Sequence, residues 1–223
     1  MRLTVIIPTV NEEENLEATL HALGPCLARE DGAAGIIVAD AGSNDATAAI
    51  AKKWGCTVLT DLEKGRAGQL NAAAEIATGD LLLFLHADTI ISRESIVNLR
   101  ETMETLSQII GGGFYRKFDS PSLLLRFTCW LAGLRGRHWR IFLGDQAMFV
   151  RKAEFQRLGG FNESLVYGED LDFSLRMRKR GKTAIIGPPV LSSARRFEKK
   201  GPARQTWIDL RLAIRLTRDA AGR

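Results

Sequence analysis

The chain has 223 residues, of which 45% are hydrophobic and 26% are charged, and its net charge is +5. These proportions are typical of a one-domain globular protein and exclude a disordered or fibrous chain. No apolar run approaches the roughly 20 residues of a membrane-spanning helix, and the apolar run at residues 3–8 is too short for the core of a secretory signal, so we expect neither. The three widely spaced cysteines match no metal-binding or redox pattern and indicate buried thiols in a reducing cytoplasm.

Strands and helices alternate along the first half of the chain. Apolar strands are predicted over residues 3–8, 35–40, 57–60 and 81–85, with helices over 12–23, 45–54 and 67–77. Strands that are apolar throughout are buried on both faces, which indicates an α/β fold with a mostly parallel central sheet flanked by helices. In the less regular second half, strands are predicted over 111–116, 147–151 and 183–186, and helices over 120–134, 169–180 and 202–218.

Three polar clusters follow predicted strands, where parallel sheets bind their ligands. They are Pro8 to Glu12, Asp40 to Asp45, and His86 to Asp88. Neither GxGxxG nor GxxxxGK[ST] follows the first strand, which argues against a Rossmann dehydrogenase and a P-loop nucleotidase. Asp40 can accept hydrogen bonds from a base or a ribose. The residues after it are also typical of a helix cap, and the two roles are compatible.

Three residues near these strand ends have chemistry that suits a phosphate or metal site. Asp88 offers a carboxylate suited to a divalent cation that bridges phosphate oxygens, whereas His86 is more typical of a structural histidine. Arg66 opens the third predicted helix, where it either contacts a phosphate together with backbone N–H groups or lies on the surface.

Adjacent carboxylates open the helix predicted over 169–180. Glu169 and Asp170 follow a Gly-Gly-Phe turn at 159–161 and lie in the first helical turn, where the helix dipole favours negative charge. Such a pair on its own is typical of a solvated capping turn. In a chain with three polar clusters at strand ends, the pair becomes a candidate catalytic site.

These segments, taken in order, resemble the family 2 glycosyltransferases, which have the GT-A fold. The resemblance extends over roughly residues 3–182, and its motifs lie at 5–12, 40–47, 65–80, 84–88 and 159–170. It implies inverting transfer of a sugar from a nucleotide-sugar donor, most simply a UDP-sugar, to an acceptor hydroxyl. It also implies a Mn²⁺ or Mg²⁺ ion on the donor diphosphate.

The resemblance assigns a role to each candidate residue. Asp170 would be the general base, with Glu169 beside it, and Asp88 would bind the metal. Arg66 would lie near the base or the phosphates. The nucleoside would be held by Pro8, Thr9, Glu12 and Asp40.

The chain departs from the family pattern at His86, where the family usually has the first aspartate of Asp-x-Asp. The role of His86 toward ribose or metal is therefore open, and Asp172 is a second candidate base. The Gln/Arg-x-x-Arg-Trp signature of processive synthases is absent. Arg195 and Arg196 stand at a comparable late position, where they can clamp the diphosphate, which favours a single transfer over polymer synthesis.

Three short segments also resemble a bacterial subgroup named for arsenosugar biosynthesis. They are the segments 86–89, 144–146 and 192–196. Within that subgroup Asp145 and Gln146 would contact the acceptor, although a simple turn before the next strand explains them equally well.

We expect three parts within one domain, and the basic residues suggest a further partner. We expect a nucleotide-sugar-binding half at 1–110, an acceptor and catalytic half at 111–194, and a basic C-terminal helix at 195–223. Four arginines, three aromatic residues and no acid occupy 126–140. With the basic last helix, this composition is typical of peripheral contact with an anionic membrane, or of a packed helix with a solvated arginine face.

Two other functions fit parts of the sequence. A sugar-1-phosphate nucleotidyltransferase would have a Gly-rich, Arg-containing loop after the first strand, and the residues from Pro8 to Glu12 form no such loop. A non-catalytic nucleotide-sugar or nucleic-acid binding protein would not need both Asp88 and Asp170. The near-neutral charge of the first 194 residues argues against nucleic acid as a partner.

Overall fold

One mixed sheet of eight strands forms the centre of the protein. The computed structural model describes residues 1–27, 35–60, 62, 65–195 and 197; Arg196 and the helix predicted at 202–218 lie outside the described residues. The sheet order is β3-β2-β1-β4-β7-β6-β8-β5. In chain order the strands are β1 (Leu3–Thr9), β2 (Ile36–Asp40), β3 (Thr57–Leu59), β4 (Leu81–Phe84), β5 (Thr89–Ile90), β6 (Ile109–Phe118), β7 (Phe149–Arg151) and β8 (Lys182–Ser192).

The predicted α/β fold with a mostly parallel sheet is confirmed. β1 lies between β2 and β4 and is parallel to both, as β3 is to β2 and β8 is to β6. β7 enters antiparallel between β4 and β6, and β5 pairs antiparallel with β8. The sheet therefore runs without interruption through both of the predicted halves, and their division at residue 110 stays a prediction.

Helices cover both faces of the sheet because the central strands β1, β2 and β4 are buried on both sides. The helices are α1 (Glu13–Leu27), α2 (Thr47–Lys53), α3 (Arg66–Ile76), α4 (Arg93–Thr105), α5 (Leu123–Leu134), α6 (Lys152–Arg157) and α7 (Glu169–Arg180), with a π-helical turn at Arg135–Trp139 and a 3₁₀ turn at Gly144–Gln146. One face of the sheet packs against α1, α2 and α4, and the other packs against α3, α6 and α7. Helix α5 lies against β6.

The prediction that β8 ends at residue 186 is wrong. Ile186 pairs with Phe114 and Val190 pairs with Arg116, so three residues of β8 lie opposite one residue of β6. This irregularity accommodates Pro188 and Pro189, which cannot donate to a regular ladder. The strand then continues to Ser192 and brings the next residues to the edge of the sheet where β5 begins.

Two further predictions concern the thiols and the membrane. Cys56 and Cys129 are free but only half-buried, whereas the sequence predicted buried thiols; the side chain of Cys26 lies outside the described residues. Burial still raises the pKa of Cys56 to about 11, so this thiol is unreactive at neutral pH. Within the ranges that the structure describes, no helix has the length and apolar character required to cross a bilayer.

Candidate functional site

The first two polar clusters meet because β1 and β2 are parallel and in register, with Thr9 opposite Asp40. Asp40 Oδ1 accepts a hydrogen bond from Thr9 Oγ1 at 2.8 Å, and Oδ2 accepts one from the backbone N–H of Ser43 at 2.9 Å. The Asp40 side chain is 2% exposed. Asp40 therefore orders the strand-end turn, and its contact with a nucleoside stays a prediction.

Gln69 of α3 fastens this edge of the sheet and was not identified from the sequence. The Gln69 side chain is buried, and its amide Nε2 donates to the carbonyl oxygens of Thr9 at 3.0 Å and Ala39 at 2.7 Å. The sequence signal for this role is a glutamine among the alanines on the apolar face of a predicted helix. The consequence is that Arg66, three residues earlier on the same helix, is held close to the ends of β1 and β2.

Replacement of Asp40 separates its structural role from a ligand role. Asp40→Ala should lower the free energy of unfolding by about 1–3 kcal/mol, because buried donors of Thr9 and Ser43 lose their acceptor. Asp40→Asn should retain most of the stability, since the hydroxyl groups of Thr9 and Ser43, which both donate to Asp40 Oδ1, can rotate to accept from the new amide. Urea unfolding measures both effects. Wild-type UDP affinity in the Asn variant would contradict a role for the carboxylate in nucleoside binding.

At the third cluster, Arg195 bridges two carboxylates that both come from the first half of the chain, Glu12 and Asp88. Its Nη2 lies 2.6 Å and 2.5 Å from the two carboxylate oxygens of Glu12, and its Nε lies 3.3 Å from Asp88 Oδ2. Arg195 follows β8, which pairs with β5 directly after Asp88. The guanidinium therefore offsets part of the negative charge of the two acids at the sheet edge where the donor diphosphate was predicted to bind.

The donor set at this edge fits a metal that takes most of its ligands from a substrate. Among the residues that the structure describes, no group of three or more His, Cys, Asp or Glu side chains could hold a metal ion. Asp88 is partly accessible, at 21% side-chain exposure. Mg²⁺ and Mn²⁺ commonly bind through one or two carboxylates with the rest supplied by phosphates and water. Asp88 suits that arrangement once Arg195 has left its carboxylate.

A small open cleft lies beside the strand ends. It brings together five of the residues predicted from the sequence to form the site, and apolar side chains from β4, α3 and the 159–161 turn complete its wall. The predicted residues in the wall are Pro8, Arg66, His86, Glu169 and Asp170. The side chain of Asp40 contacts Ser43, and the side chain of Glu12 contacts Arg195, as described above.

Asp170 is held in the cleft by backbone donors. Its Oδ2 accepts from the N–H of Gly144 at 2.6 Å, and its Oδ1 accepts from the N–H of Leu171 at 2.7 Å. Gly144 approaches so closely that a methyl group on its Cα would lie 2.8 Å from His86 Nε2 and 3.3 Å from Asp170 Oδ2. Glycine at this position thus lets an imidazole and a carboxylate face the same small space.

The turn before α7 is fixed to α3 by one asparagine. Asn71 Nδ2 donates to the carbonyl of Phe161 at 2.9 Å, and Asn71 Oδ1 accepts from the N–H of Phe161 at 2.8 Å. Gly160 has a φ of +69°, a left-handed conformation that a glycine adopts without a steric cost. These contacts explain why the Gly-Gly-Phe turn places the first turn of α7 over the strand ends.

Glu169 pairs with Arg66 across the cleft. Its Oε1 lies 3.3 Å from Arg66 Nη1, and its side chain is 7% exposed. Burial and the neighbouring charge of Asp170 raise the pKa of Glu169, although Arg66 opposes the shift. Glu169 therefore positions Arg66 and is itself poised to gain a proton.

Glu169→Gln should make the free energy of unfolding less dependent on pH. Because the pKa of Glu169 is raised on folding, the folded protein holds this proton more tightly than the unfolded chain. The stability linked to it is fully present below the ordinary value of 4.5 and is lost as the pH rises through the raised value. Urea unfolding at a series of pH values from 4.5 upward should show a larger loss for the wild type. Equal losses would contradict the raised pKa.

Asp145 and Gln146 lie in the 3₁₀ turn next to the cleft, and each contacts an arginine side chain. Asp145 forms an ion pair with Arg116, and Gln146 Oε1 accepts from Arg135 Nη2 at 2.6 Å. Gln146 is fully buried, and its Nε2 donates to the carbonyl of Phe114 at 3.1 Å. Burial and nearby Arg116 lower the pKa of Arg135 to about 10, which leaves it charged at neutral pH.

These contacts make Asp145 and Gln146 supports of the loop that carries Gly144. Contact of the two side chains with an acceptor stays a prediction. Arg116 and Arg135 were not identified from the sequence, because they are distant from this turn along the chain and only the folded structure brings them to it.

The side chain of Asp172, the second candidate base, binds an arginine outside the cleft wall. Its Oδ2 accepts from Arg176 Nε at 2.8 Å, one turn later on α7. Arg176 in turn donates to the carbonyl of Gly160 at 2.8 Å. Asp172 therefore braces the Gly-Gly turn, and it is absent from the cleft wall. Of the two candidates, Asp170 alone lines the cleft, and its role as a base stays a prediction.

Comparison with known proteins places this arrangement among sugar transferases. The sequence pattern of glycosyl transferase family 2 matches residues 4–161. The chain is 25% identical over 197 residues to the succinoglycan biosynthesis protein ExoA of Rhizobium meliloti, an alignment that covers 79% of this chain and 58% of that protein.

Similar solved structures include S. aureus TarS (fragment 1–349), with a TM-score of 0.67, 19% identity and coverage of 87% of this chain and 61% of that one. The mannosyltransferase PcManGT from Pyrobaculum calidifontis, in complex with GDP-Man and Mn²⁺, has a TM-score of 0.67, 23% identity and coverage of 86% and 56%. The chain thus spans little more than half the length of these proteins, and the structural likeness concerns the fold. Because the family pattern covers well over half of the chain, this protein belongs to glycosyl transferase family 2.

Proposed function

We propose that this protein transfers a sugar from a nucleotide-sugar donor to an acceptor hydroxyl, with inversion at the anomeric carbon. The observation that carries the proposal is the position of Asp170. Its carboxylate is fixed by the N–H of Gly144 in the wall of an open cleft that also contains Pro8, Arg66 and His86. This geometry gives a base on one side of the cleft and strand ends suited to a nucleotide on the other.

In the proposed reaction, Asp170 removes the proton of the acceptor hydroxyl. The acceptor oxygen then forms a bond to the anomeric carbon of the donor sugar as the bond from that carbon to the diphosphate oxygen breaks. The leaving nucleoside diphosphate takes the electron pair of the broken bond, and Asp170 keeps the proton. Attack from the face opposite the leaving group inverts the configuration. An alcohol is a weak nucleophile, so a positioned base is needed for this step.

Cationic groups at the strand ends suit the diphosphate. Arg66 has 45% side-chain exposure and lies at the N-terminus of α3, where a side-chain charge and free backbone N–H groups favour an anion. Arg195 lies at the opposite end of the polar edge, between Glu12 and Asp88. When bound at Asp88, a Mn²⁺ or Mg²⁺ ion would neutralise charge that develops on the departing diphosphate.

The donor, the metal, the subgroup and the cellular compartment each have separate support. The mannosyltransferase PcManGT was solved with GDP-Man and Mn²⁺, and TarS with UDP-GlcNAc; we propose a UDP-sugar and a divalent metal for this chain. Membership of the arsenosugar-named subgroup rests on the three short sequence resemblances, with Asp145 and Gln146 on the acceptor side. The free thiols of Cys56 and Cys129 support a reducing compartment such as the cytoplasm.

A panel of nucleotide-sugars tests the function directly. Thermal unfolding with UDP- and GDP-sugars, with and without Mn²⁺, should show a rise in Tm for the donor because a ligand that binds the folded state stabilises it. Release of nucleoside diphosphate in the presence of alcohol acceptors then identifies the reaction. Release of pyrophosphate from a nucleoside triphosphate and a sugar phosphate would instead indicate a nucleotidyltransferase. Binding without any turnover would indicate a non-catalytic protein.

A further inference from the structure

Helix α5 turns an apolar stripe toward solvent. Leu123, Phe127, Trp130 and Leu131 follow the spacing of one helical face and are 75%, 53%, 59% and 43% exposed. The opposite side of the helix packs on the protein through Leu125, which is 1% exposed. A surface helix normally buries its apolar stripe and exposes its polar one. On α5 the large apolar side chains are instead on the side that faces solvent.

The sequence around this stripe is basic. Arg126, Arg137 and Arg140 are exposed, and no Asp or Glu occurs from residue 120 to residue 144. Trp139, in the π-helical turn after α5, is 59% exposed. We define the α5 face as these exposed residues, namely Leu123, Arg126, Phe127, Trp130, Leu131, Arg137, Trp139 and Arg140.

We propose that the α5 face binds the surface of an anionic lipid bilayer. Aromatic and leucine side chains at one face of a helix enter the boundary between headgroups and acyl chains, and arginines beside them pair with anionic headgroups. Trp130 and Phe127 stack on each other with their ring centroids 5.7 Å apart, so they form one apolar wedge. The proposal concerns an interaction surface and does not depend on the proposed reaction.

Charge decides between a lipid surface and the other possible occupants of the α5 face. Residues 198–223 of this chain contain seven Lys and Arg against three Asp and Glu, so that segment would bring like charge to the arginines. A second copy of the chain in face-to-face contact would do the same. An anionic bilayer supplies the missing negative charge and an apolar layer for Trp130 at the same time.

The α5 face is also directly connected to the candidate site. The chain continues from α5 through the π-helical turn to the loop that holds Asp170 by the N–H of Gly144. Within this connection Arg135 donates from Nε to the carbonyl of Ile141 at 3.2 Å and from Nη2 to Gln146 at 2.6 Å. A bilayer bound at the α5 face would therefore lie next to the segment that shapes the proposed acceptor side of the cleft.

Vesicle co-sedimentation of the full chain tests the proposal. The wild type should sediment with vesicles in which about one-third of the phosphatidylcholine is replaced by phosphatidylglycerol, and not with phosphatidylcholine alone. Phe127→Ser with Trp130→Ser should lower the partition coefficient about tenfold or more, as should Arg126→Glu with Arg137→Glu. The matched controls are Ile76→Ser with Val97→Ser, at positions 45% and 41% exposed, and Lys52→Glu with Arg93→Glu. Both controls should bind like the wild type apart from a small uniform charge effect.

A direct readout on the folded wild type avoids any dependence on variant stability. Brominated lipid in the anionic vesicles should quench fluorescence in the wild type, and the quenching should fall in Trp130→Phe. Binding of the α5-face variants equal to that of the wild type would overturn the proposal and assign membrane contact to another segment. A dimer in the absence of lipid that becomes a monomer in the Phe127, Trp130 variant would also overturn it in favour of a second copy. UDP affinity should be the same in all variants, so the failure of this proposal is distinguishable from the failure of the proposed function.

Discussion

Asp170→Asn should lower turnover by about 10²–10⁴-fold, the range expected when a positioned general base is removed. The affinity for UDP should change little, because Asp170 lies across the cleft from the strand ends that suit the nucleotide. One structural effect accompanies the substitution. The new amide can accept from only one of the N–H groups of Gly144 and Leu171, which the carboxylate satisfies together, so a loss of about 1–3 kcal/mol in stability is expected.

The matched control is Asp172→Asn on the same helix. It makes the same chemical change two residues away, where the carboxylate braces Arg176 and takes no part in the cleft wall. It should cost a comparable or smaller amount of stability and leave turnover within a few-fold of the wild type. Single-turnover kinetics with saturating donor separate chemistry from binding. Full turnover by the Asp170 variant, or an equal loss in the Asp172 variant, would remove Asp170 from the role of base.

The sequence-based predictions agree best with the structure where the signal lies in residues that are neighbours along the chain. Helix α7 was predicted over 169–180 and occupies Glu169–Arg180, because a Gly turn, acidic first-turn residues and basic last-turn residues all indicate the same boundaries. The meeting of Thr9 and Asp40 was also predictable, since parallel strands end at one edge of the sheet.

What the sequence did not reveal depends on contacts between distant segments. Arg195 reaches Glu12 across most of the chain, and only the irregular continuation of β8 past its prolines brings it to that edge. The antiparallel insertion of β7 likewise brings the loop at Gly144 to Asp170. Helix α4 was not predicted, although its sequence is amphipathic and begins with an N-cap serine at Ser92.

The contact between Arg195 and Asp88 changes how the metal prediction must be tested. Without a metal, one guanidinium already contacts both Glu12 and Asp88. A cation on the donor diphosphate therefore competes with Arg195 at Asp88, while Glu12 can retain Arg195 through both of its oxygens. Loss of affinity in an Asp88 variant would be ambiguous if it were measured in one condition only, because Arg195 is released at the same time.

Asp88→Ala should lower the affinity for UDP in Mn²⁺ by at least about tenfold, because even the loss of an outer-shell partner typically weakens metal binding ten- to hundred-fold. In a chelator the difference between the variant and the wild type reports only the release of Arg195, so titration calorimetry in both conditions isolates the metal-dependent part. Asp80→Ala is the control for a general charge effect: its carboxylate is 54% exposed and lies near Arg2 at the opposite end of β4. Arg195→Gln completes the set, since it frees Asp88 without removing it and should retain a Mn²⁺-dependent gain. If Asp88→Ala kept the same gain as the wild type, Asp88 would not be the metal ligand, and the charge on the leaving diphosphate would have to be balanced by Arg66 and Arg195.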